Sequence, residues 1–480
     1  MQKKKSGLQL IDVIMLVSGS MIGSGIFIVS ADMARQLGSA FWVMICWVLS
    51  GIITLMAALS YGELSAMMPE AGGQFIYIKR AFGKLTAFIY GWTVFLVIQT
   101  GVIAAVAVAF AKYLGVLIPA ISETNTIFKT AYFTFSAADA IAVVSIISLT
   151  LLHTQGIKKG AFIQRIFTFT KIAALFVLIV LAISKCGSDS NFFVTNFTNP
   201  FSASVYDANT GSTTPLSSIG ILFMLGTAII GALFSSDAWN NVTFLAGEIK
   251  NPARNLPLGL SIGVAIVTVL YILANVAYFI LLPLQGTPNG LLPVEQGVMF
   301  ADQDRVATSA LYTFFGNTSA ILMALLIVIS TFGCNNGLIL AGSRLFQSMA
   351  HNGLFFTMAA RLNKHDVPAK SLWIQCVWAC VLCLSGSYGQ LLAYSTFSSL
   401  LFYIVTIVGL FVLRKKEPNT PRPYKAWGYP YIPLLYIVLT SLICLDLLVF
   451  NFTNSIIGIA IIALGIPVYF LFRKTDTHVA

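Results

Sequence analysis

Three glycines and two serines, Gly19, Ser20, Gly23, Ser24 and Gly25, sit in the middle of an apolar stretch that runs from about residue 10 to about residue 34. A helix that crosses lipid has no reason to carry them at mid-depth unless its backbone opens there. Each amide released from the helix then needs a partner in a medium of low dielectric. The segment Gly19-Ser20-Met21-Ile22-Gly23-Ser24-Gly25-Ile26-Phe27 therefore reads as a broken membrane helix, and breaks of this kind mark transport sites.

Composition makes the membrane the right solvent. Of 480 residues, 58% are hydrophobic and 9% charged, with a mean hydropathy of +0.87, which excludes a soluble protein with an ordinary polar surface. Twelve apolar spans are expected, at 10–34, 40–67, 82–112, 138–155, 162–184, 215–244, 257–282, 306–345, 369–386, 390–413, 430–449 and 454–472. The first is followed by many others and lacks a small-residue cleavage site, so it is not a signal peptide. If the amino terminus is cytoplasmic, only Arg35, Lys112, Lys129, Lys185 and Arg305 fall outside. Lys171 lies within span five, and the rest of the 28 lysines and arginines are inside. That bias supports twelve spans with both termini in the cytoplasm. It also explains the net charge of +11: basic loops face anionic lipid, and membrane lipid rather than nucleic acid is the expected partner.

Six of the seven cysteines, Cys46, Cys334, Cys376, Cys380, Cys383 and Cys444, fall within spans and Cys186 lies near the outer surface, so an intrachain external disulfide is not expected. Cys376, Cys380 and Cys383 read as small core residues, because no His or acid stands beside them. No phosphate loop, hydrolase-type carboxylate pair or metal cluster is present. Neither an enzyme nor a cofactor or metal is expected. Charges inside spans are expensive and are usually paired or face water. Asp12, Asp32, Glu63, Asp139 and Asp446 stand near span ends and have structural readings. Lys171 is deeper, flanked by Phe169, Ile172, Ala173 and Ala174; it is either functional or snorkelling to the interface. Glu248, Lys250 and Arg254 form either an inner gate network or a solvated loop, and His153 is structural.

Span six repeats the signature of span one. Gly226-Thr227-Ala228-Ile229-Ile230-Gly231-Ala232-Leu233-Phe234-Ser235-Ser236-Asp237-Ala238-Trp239-Asn240 places glycines, serines and an acid midway through it. Either run alone is compatible with a kink or close helix packing, but two runs five spans apart suit an inverted repeat of five plus five helices. Amides freed at Ile22, Gly23, Ser24, Gly25 and Ile26 can hold a carboxylate, with a half-helix amino terminus behind them. Carbonyls freed at Ile230, Gly231, Leu233 and Phe234 can accept from an ammonium, and Asp237 can stabilise positive charge on the amine or the substrate side chain. The logic suits a small zwitterion.

The chain resembles bacterial amino-acid permeases of the amino acid–polyamine–organocation superfamily, and most of all the L-type group that includes the light subunits of heteromeric exchangers. The resemblance covers roughly residues 8–450. It is carried by Gly19–Phe27; by Tyr61-Gly62-Glu63-Leu64 and Pro69-Glu70-Ala71-Gly72-Gly73-Gln74-Phe75-Ile76-Tyr77; by Phe234–Asn240; by Gly247-Glu248-Ile249-Lys250-Asn251-Pro252-Ala253-Arg254-Asn255-Leu256-Pro257; and by Gly333-Cys334-Asn335-Asn336-Gly337 running on to Ser343-Arg344-Leu345-Phe346. It implies a fold like that of the leucine transporter, an all-α integral membrane protein with 12 transmembrane helices. Helices 1 and 6 are discontinuous, repeats run over 8–184 (spans one to five) and 215–413 (spans six to ten), and spans eleven and twelve (428–473) are additions within a single transporter domain. It implies that Phe234 is a gate over bound substrate, that Asn336 lies near the substrate side chain, and that Lys171 takes the place of a sodium ion or couples to protons. Asp237 resembles members that also accept cationic amino acids. The segment 113–137 has no cysteine where heavy-chain-binding relatives carry one, so no disulfide-linked heavy subunit is expected and the chain is expected as a monomer or homo-oligomer.

The expectation is a sodium-independent amino-acid transporter in the bacterial inner membrane, an exchanger of neutral L-amino acids, with cationic ones as a further candidate, working by alternating access. A proton-coupled symporter and a membrane-embedded amino-acid sensor are the alternatives. The longest inner segment, about 25 residues, leaves no room for a signalling domain, which weighs against a sensor.

Overall fold

Runs that are apolar on every face make helices that must be covered by other helices or by lipid. The computed structural model, which describes residues 7–129, 134–186, 191–385 and 388–476, is built of such helices. In chain order they are α1 (Leu10–Met21), α2 (Gly25–Leu37), α3 (Ala40–Met67), α4 (Gln74–Phe82), α5 (Lys84–Thr93), α6 (Gln99–Leu117), α7 (Ala137–His153), α8 (Ile157–Ser184), α9 (Phe193–Asn196), α10 (Ser218–Ser235), α11 (Pro252–Leu281), α12 (Pro293–Gln296), α13 (Val306–Phe315), α14 (Thr318–His351), α15 (Ala369–Ser385), α16 (Tyr388–Lys416), α17 (Tyr431–Phe450) and α18 (Phe452–Asp476). Two short hairpins, β1 (Thr126–Lys129) with β2 (Thr134–Ser136) and β3 (Ser204–Asp207) with β4 (Ser212–Pro215), lie in the connections. Lys3, Lys4 and Lys5 lie outside the described residues, as do the side chains of Lys158, Lys159, Arg473 and Lys474.

Among the described residues, nine helical segments are long and apolar enough to cross a membrane, and ten when α1 and α2, which meet at a 42° bend, count as one. The chain is a multi-pass membrane protein. Phe169, Leu222 and Val449 are about two-thirds exposed, which in water would be costly and in hydrocarbon is not. The expected span 306–345 is two helices: α13 stops at Gly316, whose φ of 53° suits glycine, and α14 starts afresh at Thr318. α5 and α6 form one span joined by a π-helical turn, Val94–Ile98, where the Thr100 hydroxyl donates to the Phe95 carbonyl five residues back.

Local chemistry sets several starts. Asn251 in the left-handed region, followed by Pro252, opens α11. Ser136 and Asp139 cap α7 reciprocally, which settles Asp139 as structural. Asp12 receives the Gln9 amide at 2.9 Å and pairs with Arg165. In the packed bundle α11 lies along α3, α14 along α6 and α10 along α2, while α1 is held between α8, α11 and α14.

One buried charge ties distant elements. Glu63 in α3 is fully buried. It accepts from Arg414 at 2.9 and 2.5 Å, lies 3.2 Å from Arg422, and takes the Ala426 amide at 2.7 Å. The carboxylate thus fastens α3 to the end of α16 and to the Arg422–Pro430 segment. Removing it strands two guanidinium groups at the edge of the bundle, so Glu63→Ala should cost roughly 3–5 kcal/mol. Thermal melting in detergent should fall by several degrees, and an unchanged melting temperature would show that the cluster carries no stability.

Candidate functional site

The first break opens where the glycines predict. Ile22 ends α1, its amide still on Ser18, and the Gly23 amide turns back to the Met21 carbonyl at 2.8 Å before α2 begins at Gly25. The carbonyls released by the break all find donors from other helices. Lys171 of α8 donates to Gly19 at 2.8 Å and to Ile22 at 2.7 Å. Ser330 of α14 donates to Ile22 and Gly23, both at 3.1 Å, and the Cys334 thiol reaches Ser20 at 3.0 Å. From α11, the Tyr271 hydroxyl lies 3.0 Å from the Met21 carbonyl and Tyr278 donates to Ile26 at 3.1 Å. The amides at the start of α2, by contrast, have no carbonyl a turn earlier in their own helix.

The second break lies later than the sequence suggests. α10 continues to Ser235, and the chain leaves the helix at Ser236–Ala238, where Ala238 has a φ of 65°; a 3-10 helix then runs Trp239–Glu248. The carbonyls expected to be free within Ile230–Phe234 are occupied: Gly231 by the Ser235 hydroxyl at 2.7 Å, Ala232 and Leu233 by the Ser236 amide, Phe234 by the Asp237 amide. Gly226 and Gly231 serve close packing instead, since a Cβ would stand 2.5 Å from Asp446 and 2.3 Å from Val29. The Tyr271 hydroxyl is also 3.0 Å from the Ser235 carbonyl, so one side chain touches both breaks.

Between the breaks lies a narrow cavity. Of the expected residues, Gly23, Ser24, Gly25, Phe234 and Asp237 line it. Ile22 and Ile26 are buried beside it, Gly231 packs on α2, and Leu233 lines a smaller space behind Asp237. Ile230 is half-buried against the core. Asn336 stands apart: its amide donates to the Gly160 carbonyl at 3.0 Å and to Gln164 at 2.8 Å, and His153 contacts its carbonyl. Lys171 sits behind the break, outside the cavity wall.

Among the lining residues not expected as site residues, Gln74, Tyr90, Asn240 and Tyr403 form a hydrogen-bonded group. The Tyr403 hydroxyl donates to Asp237 at 2.5 Å and lies 3.2 Å from the Asn240 oxygen. The Asn240 amide donates to the Gln74 oxygen at 2.8 Å, which also accepts from Tyr90 at 3.0 Å. Gln74 and Asn240 carried a signal, as amides within the quoted motifs; the tyrosines carried none. Gln74 is aimed by the turn before α4, where Gly72 and Gly73 have φ of 108° and 46° and Thr243 leaves no room for a Cβ at Gly73.

On the face bearing the amino terminus, Leu8 makes an isolated bridge beside Ile249, with bonds to Glu248 and Lys250 at 2.8 and 2.9 Å, and Glu248 meets Arg344 at 2.6 Å, which gives Glu248 a partner rather than a solvated loop. On the other face Ser24 also lines a wide pocket with Ile28, Lys112, Glu123, Asp304 and Arg305. No group of three or more metal-ligating side chains occurs among the described residues.

A multi-pass bundle that wraps two interrupted helices around a cavity with one hydrogen-bonded polar wall has the architecture of a carrier of small solutes. The chain belongs to the amino acid permease family, whose model matches residues 8–472. It is a transporter and not an enzyme. It is 29% identical to the human large neutral amino acids transporter small subunit 2 over 98% of this chain and 80% of the relative. To the mouse b(0,+)-type amino acid transporter 1 the identity is 27%, over 96% and 87%, and to the human cystine/glutamate transporter 28%, over 96% and 84%.

These relatives overturn the expectation of a chain without a disulfide-linked heavy subunit, acting as a monomer or homo-oligomer. A relative that matches 98% of this chain is by name a small subunit, one component beside a larger one. The expectation rested on a missing cysteine in 113–137. That absence concerns one bond in one loop, part of which lies outside the described residues, and leaves the rest of the surface open to a partner.

The closeness of the two breaks gives a direct test. A Cβ at Gly25 would stand 2.1 Å from the Ser235 hydroxyl and 3.2 Å from its Cα. Gly25→Ala must push α2 away from α10, and binding of labelled amino acid should fall at least about tenfold while the melting temperature stays near wild type. Unchanged binding would remove the Gly23–Gly25 backbone from the site.

Proposed function

We propose that this permease is a sodium-independent exchanger of L-amino acids that works by alternating access. The observation that carries the reading is Lys171: its ammonium bridges the Gly19 and Ile22 carbonyls, with Ser330 on the second of them. Carbonyls of an unwound segment with a serine hydroxyl nearby are the ligands a sodium ion would need. Here a tethered cation takes them, so the broken helix is held to α8 and α14 without a bound ion. The amides at the start of α2, at Gly25 and beside Ser24, would receive the substrate carboxylate, while the Gly23 amide is spent on the Met21 carbonyl. On the opposite wall, Asp237 with Tyr403 would receive the amine or a cationic side chain, Phe234 would close over the substrate, and Ile22, Ile26, Ile230, Gly231 and Leu233 would shape the backbone around it.

A leucine-transporter-like architecture of twelve spans goes with this reading. Adding the apolar α7 and α15 to the ten long spans makes twelve. The neighbouring pairs α2 with α10, α3 with α11 and α6 with α14 match spans one with six, two with seven and three with eight, as repeats at 8–184 and 215–413 require. The lysine and arginine bias supports cytoplasmic termini, and the resemblance to bacterial permeases supports a bacterial inner membrane. The printed names of the relatives support neutral amino acids as substrates.

Proteoliposomes test the reading. Uptake of labelled leucine should require amino acid inside, should ignore replacement of sodium by choline, and should not respond to an imposed proton gradient; uptake into empty vesicles driven by inward protons would establish a symporter instead. Lys171→Ala removes two hydrogen bonds from a charged donor, each worth about 1.5–3 kcal/mol, and should slow exchange at least about tenfold. A variant with wild-type rates would show that the lysine does not replace an ion. Asp237→Asn should reduce arginine uptake about tenfold more than leucine uptake, and equal losses would make Asp237 structural.

A further inference from the structure

A second cavity lies away from the transport path, on the side of the bundle turned to lipid. α3, α10 and α17 form an open cleft lined by Leu49, Leu222, Leu225, Leu442, Leu445 and Val449. Leu222, Leu442, Leu445 and Val449 are each more than half exposed, so hydrocarbon rather than water is the natural filling. One charged group, Asp446, enters this space. It stands about 6 Å before the end of α17 at Phe450, close enough to turn outward toward the interface.

It turns inward instead. Thr227 of α10 lies 3.3 Å from Oδ2, and a Cβ at Gly226 would stand 2.5 Å from the same oxygen, so Gly226 keeps the seat open. Among the described residues Asp446 is in no ion pair. A carboxylate at the edge of hydrocarbon with one long hydrogen bond is short of a cation. We propose that the cleft is a phospholipid site: acyl chains lie along its leucine walls and a primary ammonium headgroup donates to Asp446. A quaternary ammonium has no N–H to donate, and an anionic headgroup would be repelled. The bound lipid would brace α10 against α17, two turns before Phe234.

The test counts bound lipid and is independent of transport. The full chain, purified in mild detergent, is equilibrated with equal amounts of ethanolamine, choline and glycerol phospholipids of one acyl composition and weighed by native mass spectrometry. Wild type should retain the ethanolamine lipid about fivefold or more over the other two. Asp446→Asn, which keeps shape and the Thr227 contact, should lose that preference, and Leu442→Trp, which fills the cleft, should lose the lipid with Asp446 in place. Equal retention of all three lipids by wild type, an undiminished preference in D446N, or a co-purified polypeptide seated there in place of lipid would overturn the proposal. If D446N does not fold, the wild-type headgroup comparison and L442W decide it.

Discussion

The bundle is organised around a backbone that has been opened at the centre of a membrane and must be kept open. Lys171 does most of this. An ammonium buried among Phe, Leu and Ala side chains is unfavourable unless several strong acceptors surround it, and an unwound helix is unfavourable unless its carbonyls have donors. Each defect relieves the other. Ser330, Cys334, Tyr271 and Tyr278 complete the set, so the break in α1 is defined by three neighbouring helices. Carbonyls are thereby drawn to the scaffold side while the amides at the start of α2 are left to the cavity side, and a polarised site results without a fixed positive charge in its wall.

The opposite wall is made differently. Asp237, Tyr403, Asn240, Gln74 and Tyr90 hold one another in a continuous chain of hydrogen bonds contributed by α4, α5, α16 and the segment after α10. A connected network of this kind keeps its members rigid in low dielectric, and loss of any one leaves another short of a partner. Tyr271, touching the ends of both α1 and α10, makes the two walls mechanically aware of each other.

Much of this was legible in the residues. Glycine with serine at mid-span located the first break to within a residue or two, and a lone lysine deep in span five pointed to the group that holds it. Asp12 and Asp139, near span ends, proved to have partners, whereas Asp446 has none of opposite charge among the described residues. The hidden part depends on rotation about helix axes. A helix apolar all round gives no sign of which face meets which neighbour, so Tyr90 and Tyr403 looked like any core aromatic and Asn336 looked like a cavity residue. The second break was misplaced because a glycine in a membrane helix has two uses: Gly226 and Gly231 permit close approach, and the chain actually leaves the helix at Ser236–Ala238, where no glycine stands. The subunit expectation failed because a loop's cysteines describe one bond and not a surface.

The π-helical turn at Val94–Ile98 has a consequence for how such cavities change over time. Val94, Ile98, Gln99 and Val102 all face the cavity, and the turn accommodates one extra residue without shifting the turns on either side. Deleting a single residue there would let the turn close to a regular α-helix while Gln99–Leu117 kept its orientation relative to α5. The face of α6 that packs along α14 would stay seated, and only the bulged stretch of the cavity wall would draw in. The π turn is therefore a place where chain length can change the wall without unseating the helix behind it.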